Sequence, residues 1–214
     1  MITLFEDFIE IIEKGRGDEI GVALGLDKYG REMIRLMSSN NKEECLEIRK
    51  KAIPGSTLEH SATEKVLKIL SEELKKTTTP GGCQSVHDDP FANKELREES
   101  FKKILSMMTF SEIRERIQER TYSNNRVYEY LAIERHEEII LLTSNRTWST
   151  QECMKLFKQA LKRSTKERLF KRAMFLASHE IGELQKILNS TDVHSEFSYR
   201  CIRKMATLAG REAA

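Results

Sequence analysis

The stretches VYEYLAIERHEEIILL (residues 127–142) and MKLFKQALKRSTKERLFKR (residues 154–172) separate charge by sign while keeping one spacing of apolar side chains. The first carries Glu129, Glu134, Glu137 and Glu138 around an apolar skeleton. The second carries Lys155, Lys158, Lys162, Arg163, Lys166, Arg168, Lys171 and Arg172 against Glu167 alone. Apolar residues recur at helical intervals in both, so the expectation is an acidic helix pair and a basic helix pair in one small bundle. Opposed patches on one molecule suit a module that binds copies of itself or a like partner head to tail.

The rest of the composition agrees with helices. In 214 residues there are 10 Gly and 3 Pro, few turn formers for a chain of this length, and nothing alternates as a strand would. The whole chain is therefore expected to be all-α. A net charge of +2 does not by itself indicate a nucleic-acid binder, although the halves differ. Residues 1–90 hold 13 basic and 17 acidic side chains, whereas residues 91–214 hold 23 and 17. Cys45, Cys83, Cys153 and Cys201 lie far apart, without the dense spacing of a disulfide framework. The apolar run near the N-terminus is broken by Glu6, Asp7, Glu10 and Glu13, unlike a signal peptide. A reduced, cytoplasmic setting is the expectation.

Start and stop signals divide the chain. Thr3 with Glu6 precedes LFEDFIEIIEK, and Asp18, Asp27 and Asn40 or Asn41 are placed to cap the next three helices. Pro54-Gly55 ends the last of these, and Ser61 with Glu64 opens ATEKVLKILSEELKK. Residues 77–90, TTTPGGCQSVHDDP, have no apolar period and read as a linker. Asp89 and Pro90 then suit a helix start, followed by a broken helix over 94–120 and an interruption at TYSNN. Boxes at Ser149/Glu152 and Ser164/Glu167 open the basic helices, with a joint near residues 178–182, and a last helix spans about 192–208. The expected organisation is a bundle over 1–76, a linker over 77–90, a bundle over 91–190, and a C-terminal helix and tail over 191–214.

The first half resembles a death domain on IGVALGLDKYGREMIRLMSSNNKEECLEIRKKAI and HSATEKVLKILSEEL. Ala23, Leu24, Gly25, Ile34, Leu36, Cys45, Leu46, Ala62, Thr63 and Leu67 occupy that family's core places. It departs at Ile48 to Ala52, where many death domains bury a tryptophan. Residues 125–188 resemble a caspase-recruitment domain, with His-Glu-Glu-Ile entering its third helix, a polar loop, and a Phe-rich fifth helix. The resemblance implies two six-helix death-fold bundles in tandem, with the C-terminal helix as an extra. It implies a signalling adaptor of apoptosis or innate immunity. One domain would meet a like domain on a receptor or sensor, and the other would recruit a caspase or kinase by homotypic contact. Arg114, Arg116, Lys155, Lys158, Lys162 and Arg163 would form the basic partner-binding face. Glu129, Glu134, Glu137 and Glu138 would form the acidic one.

Other chemistries leave weaker traces. A viral or host RNA- or membrane-associated helical protein would use the basic residues 155–172. However, only Phe157 and Phe170 interleave with them, at core spacing, and no lipidation motif is present. Cys83 and His87 form a CxxxH pair, and His194 and Cys201 are at hand, but zinc sites show tighter knuckles; a flexible linker Cys and His is the reading. No phosphate-cradling Gly loop, HExxH or GxSxG occurs, so neither enzyme activity, metal nor cofactor is expected. His136, flanked by acids, reads as a surface residue. The lone Trp148 precedes a helix cap, either packing over the bundle or, if exposed, anchoring a contact.

Overall fold

Of the two capping candidates read from the sequence, Asn40 and Asn41, it is Asn41 that accepts the amide protons of Glu43 and Glu44 and so starts a helix at Lys42. The computed structural model describes residues 28–122 and 125–212, and among these the regular structure is entirely α-helical. The expected helices over LFEDFIEIIEK and EIGVALGL, the Asp27 cap, and Ala23, Leu24 and Gly25 lie outside the described residues. The chain divides into two compact units, residues 1–107 and 108–214.

Five described helices build the first unit: α1 (Lys28–Ser38), α2 (Lys42–Lys51), α3 (Thr57–Lys76), α4 (Pro80–His87) and α5 (Lys94–Met107). Helix α3 is the spine. Leu58, Ala62, Val66, Leu70 and Leu74 recur every fourth residue and are all buried. Leu36 of α1, Cys45 and Ile48 of α2, and Leu96, Phe101, Ile104 and Leu105 of α5 also enter the unit's core. Leu46 and Leu67 are half-buried, and Thr63 accepts a hydrogen bond from Arg49 Nε at 3.1 Å.

Three boundaries differ from expectation. Helix α3 begins five residues earlier than the expected Ser61/Glu64 start, because Ser56 accepts the Glu59 amide proton, while the Glu59 carboxylate accepts that of Gly55. Residues 80–87, expected in the linker, form α4. Thr79 caps it, Pro80 occupies the first turn, and Cys83 and Val86 enter the core. Two glycines hide any apolar period there, and packing supplies what propensity lacks. Asp89 heads a turn, accepting from the Phe91 amide, and pairs with Lys42. Asn93 caps α5 through the Leu96 amide. The unit division accordingly falls between Met107 and Met108, rather than within 77–90.

Six described helices build the second unit: α6 (Phe110–Gln118), α7 (Arg126–Asn145), α8 (Thr150–Gln159), α9 (Arg163–Leu176), α10 (Ile181–Ser190) and α11 (Glu196–Glu212). Thr109 and Glu112 close a full capping box on α6. Arg120, at φ 53°, then turns the chain, its neighbour Thr121 donating back to the Arg116 carbonyl. Helix α7 is continuous for 20 residues, so His-Glu-Glu-Ile lies mid-helix instead of opening a new one. The core gathers Ile140, Cys153, Met154, Phe157, Leu169, Phe170, Ala173, Leu184, Ile187 and Cys201.

Two starts shift here as well. Helix α9 begins at Arg163 without a side-chain cap, leaving Ser164 inside its first turn. Helix α11 begins at Glu196, with Ser195 Oγ accepting the Ser198 amide proton. The C-terminal helix is no appendage: Phe197 meets Phe157 at 5.1 Å and Phe170 at 4.9 Å between ring centroids, and Cys201 is fully buried.

Candidate interaction surface on the second unit

Helix α7 carries the acidic residues, and the fold gives each a different task. Glu134 pairs with Lys162, whose ammonium also lies 5.0 Å from the Tyr130 ring centroid. Hydrogen bonds from Lys162, and next from Tyr130, hold the Glu134 carboxyl below its ordinary range. Glu138 takes a 2.6 Å hydrogen bond from Arg135 one turn back. Glu129 is half-exposed near the start of the helix.

Glu137 is not on the surface at all. It is 3% exposed, and its Oε1 accepts the Leu161 amide proton at 2.7 Å, fixing the link between α8 and α9. Its neighbour His136 is 1% exposed and stacks on Phe110 at 4.7 Å, with Nδ1 3.3 Å from Glu137 Oε1. The expected surface histidine is therefore a core residue, because α6 lays Phe110 across it.

Burial, the largest effect, pushes the His136 pKa below its ordinary 6.5, against the raising influence of Glu137; the Arg114 charge lowers it further. The unfolded chain thus takes up a proton that the folded unit resists. The His136 contribution is complete above about pH 6.5 and declines as acid carries the solution down toward the folded-state value. Denaturant titrations at about pH 7.5 and about pH 5.5 should show the second unit weaker at the lower pH, and the difference should shrink in His136→Gln.

The basic residues divide similarly. Lys162 is taken up by Glu134, and Arg163 reaches Glu196 at 2.7 Å. Arg114 and Arg116 are exposed on α6, which packs on α7; Arg116 also donates to the Tyr122 hydroxyl at 3.3 Å. Lys155 and Lys158 project from α8, exposed and in no ion pair with any described residue. The opposite side of α8 is buried through Thr150, Cys153, Met154 and Phe157, so the lysines are held on a fixed surface.

Sequence reasoning missed what lies beside them. Ile139, Leu142 and Thr143 of α7, with Arg146 just past its end, face Glu152, Lys155, Leu156 and Gln159 of α8 across an open groove of about 640 Å³. The run IILL at 139–142 was the available signal: four successive apolar residues cannot all enter one core from a helix. Thr147 also lines the groove, and the next residue, Trp148, is 81% exposed, with the Arg172 guanidinium 5.7 Å from its ring centroid. Arg172 also donates to the Thr147 carbonyl at 2.7 Å and the Asn145 carbonyl at 3.4 Å, satisfying acceptors at the C-terminal end of α7.

The four cysteines are free and buried, including Cys83, which was expected in a flexible linker. Burial pushes the Cys201 thiol up to about 11 and moves Cys45 and Cys153 the same way, which disfavours the thiolate a nucleophile needs. Among the described residues no three His, Cys, Asp or Glu side chains converge as a metal ion requires. No helix among them is long and apolar enough to cross a membrane. Protein-family models, curated proteins and solved structures offer no match to this chain.

Proposed function

We propose that this chain is a non-catalytic adaptor that gathers partners by docking one helical domain on another of like construction, in the manner of the death-fold superfamily. The exposed pair Lys155 and Lys158 on α8 carries the reading, because these cations form no ion pair with a described residue while most of the acids of α7 have one role or another inside the unit. A cationic surface left over in this way is best matched by an acidic surface on a neighbouring domain, of this chain or of another protein. Such charges set register and speed of encounter more than tightness, and salt screens them. Successive contacts bring bound effectors to a high local concentration, which is how an adaptor without chemistry of its own activates them.

The test is charge reversal. In sedimentation velocity of the full chain, Lys155→Glu with Lys158→Glu should weaken association about tenfold or more while helicity by circular dichroism stays unchanged. Association of the double variant equal to that of the parent chain would remove the α8 surface from the account.

A further inference from the structure

The geometry points to the α7/α8 groove as the receptor for an amphipathic helix of a partner protein, with an apolar stripe and acidic flanks. This rests on reading the second unit as a protein-binding domain, and it names what that unit binds. Both walls are built alike: Ile139, Leu142, Thr143 and Arg146 on one, Glu152, Lys155, Leu156 and Gln159 on the other. Each wall follows the i, i+3, i+4, i+7 positions that define one face of a helix. Seven residues at the helical rise give each wall a length of about 10 Å, room for about two turns of a third helix.

Ile139, Leu142 and Leu156 supply the apolar part of the lining, and Leu142 is 53% exposed, an apolar side chain facing solvent in a concave setting. The walls present side chains and no sheet edge, so an occupant receives no backbone pairing. It must satisfy its own amides and carbonyls, which selects a helix over an extended peptide. Charge chooses its flanks. Arg146 and Lys155 line the groove against the single carboxylate of Glu152, and Lys158 lies one turn from Lys155 on α8. Thr147 also lines the groove, and its neighbour Trp148 is exposed, an aromatic side chain of the type enriched among the residues that dominate binding energy at protein contacts.

The chain contains a single tryptophan, so Trp148 reports on its own surroundings. The experiment titrates the full chain with a synthetic helical peptide bearing Leu at i, i+3, i+4 and i+7 and Glu on the flanks. Companion titrations use the same composition in scrambled order, a version with Lys flanks, and vesicles of phosphatidylserine and phosphatidylcholine. A saturable blue shift with the acidic peptide is expected, weakened roughly tenfold by Lys flanks and by Leu142→Glu. Should Leu142→Glu fail to fold, Lys155→Glu provides the same comparison. Equal binding of the scrambled or Lys-flanked peptide, unchanged affinity in the variants, or a shift with vesicles alone would overturn the assignment. Salt-dependent association of the chain without peptide binding would remove the groove and leave the adaptor reading standing. Peptide binding without association would retain the groove and remove docking between copies of this chain.

Discussion

Glu137→Lys should leave the second unit without a cooperative unfolding transition, whereas Glu138→Lys, one residue along the same helix, should leave it intact. Glu137 is 3% exposed and supplies the acceptor for the Leu161 amide; Glu138 is exposed and accepts a hydrogen bond from Arg135. The lysine would bury a cation beside His136 and strand the Leu161 N–H. Leaving a buried charge uncompensated in this way costs about 3–5 kcal/mol, a large part of a domain's total of about 5–15 kcal/mol. Glu137→Gln, which keeps an acceptor for Leu161, should cost about 1–2 kcal/mol. Urea unfolding followed by circular dichroism checks all three. A Glu137→Lys protein as stable as the parent would contradict the buried role. The consequence for interface work is direct: charge swaps on α7 belong at Glu129, Glu134 and Glu138 and must leave Glu137 alone.

Phe170→Ala should cost about 3–5 kcal/mol, the usual range for emptying a buried aromatic site. Phe170 is fully buried, its ring centroid 4.9 Å from that of Phe197, and the Arg200 guanidinium covers it at 4.9 Å. Arg200 is itself held by Glu167 at 2.6 Å, so α9 and α11 are joined at this point by packing and by charge. Chains ending before Glu196 should therefore lose stability to a similar degree, since Phe197 and Cys201 leave the core with them. Denaturant midpoints of the variant and the shortened chain read this out. A small change in both would mean that α11 adds little to the core.

How far such features could be read from sequence depends on whether their cause is local. Asn41 and Ser149 cap helices through amides two or three residues away, so their patterns are visible in a short window. Cys45, Phe157 and Phe170 fall at apolar positions of a helical period and are buried as expected. His136 shows the opposite case. Its immediate neighbours in ERHEEII are charged, and only Phe110, twenty-six residues earlier in the chain, makes it a core residue. Residues 80–87 look like a linker because two glycines and a proline dominate them, yet Cys83 and Val86 find a core that the segment itself does not announce. The charged surface was legible in its signs but not in its pairings. Lys162 and Glu134, assigned to opposite partner-binding faces, bind each other within one unit, and the groove beside Lys155 exists only once α7 and α8 are set side by side.

The central claim is that the cations of α8 meet an acidic surface on another copy of this chain. Light scattering behind size exclusion, on the full chain across a concentration series at low and at high salt, tests it most directly. The account predicts reversible growth with concentration at low salt, dissolved by high salt and absent in Lys155→Glu with Lys158→Glu. A well-folded monomer at every concentration and salt would contradict it.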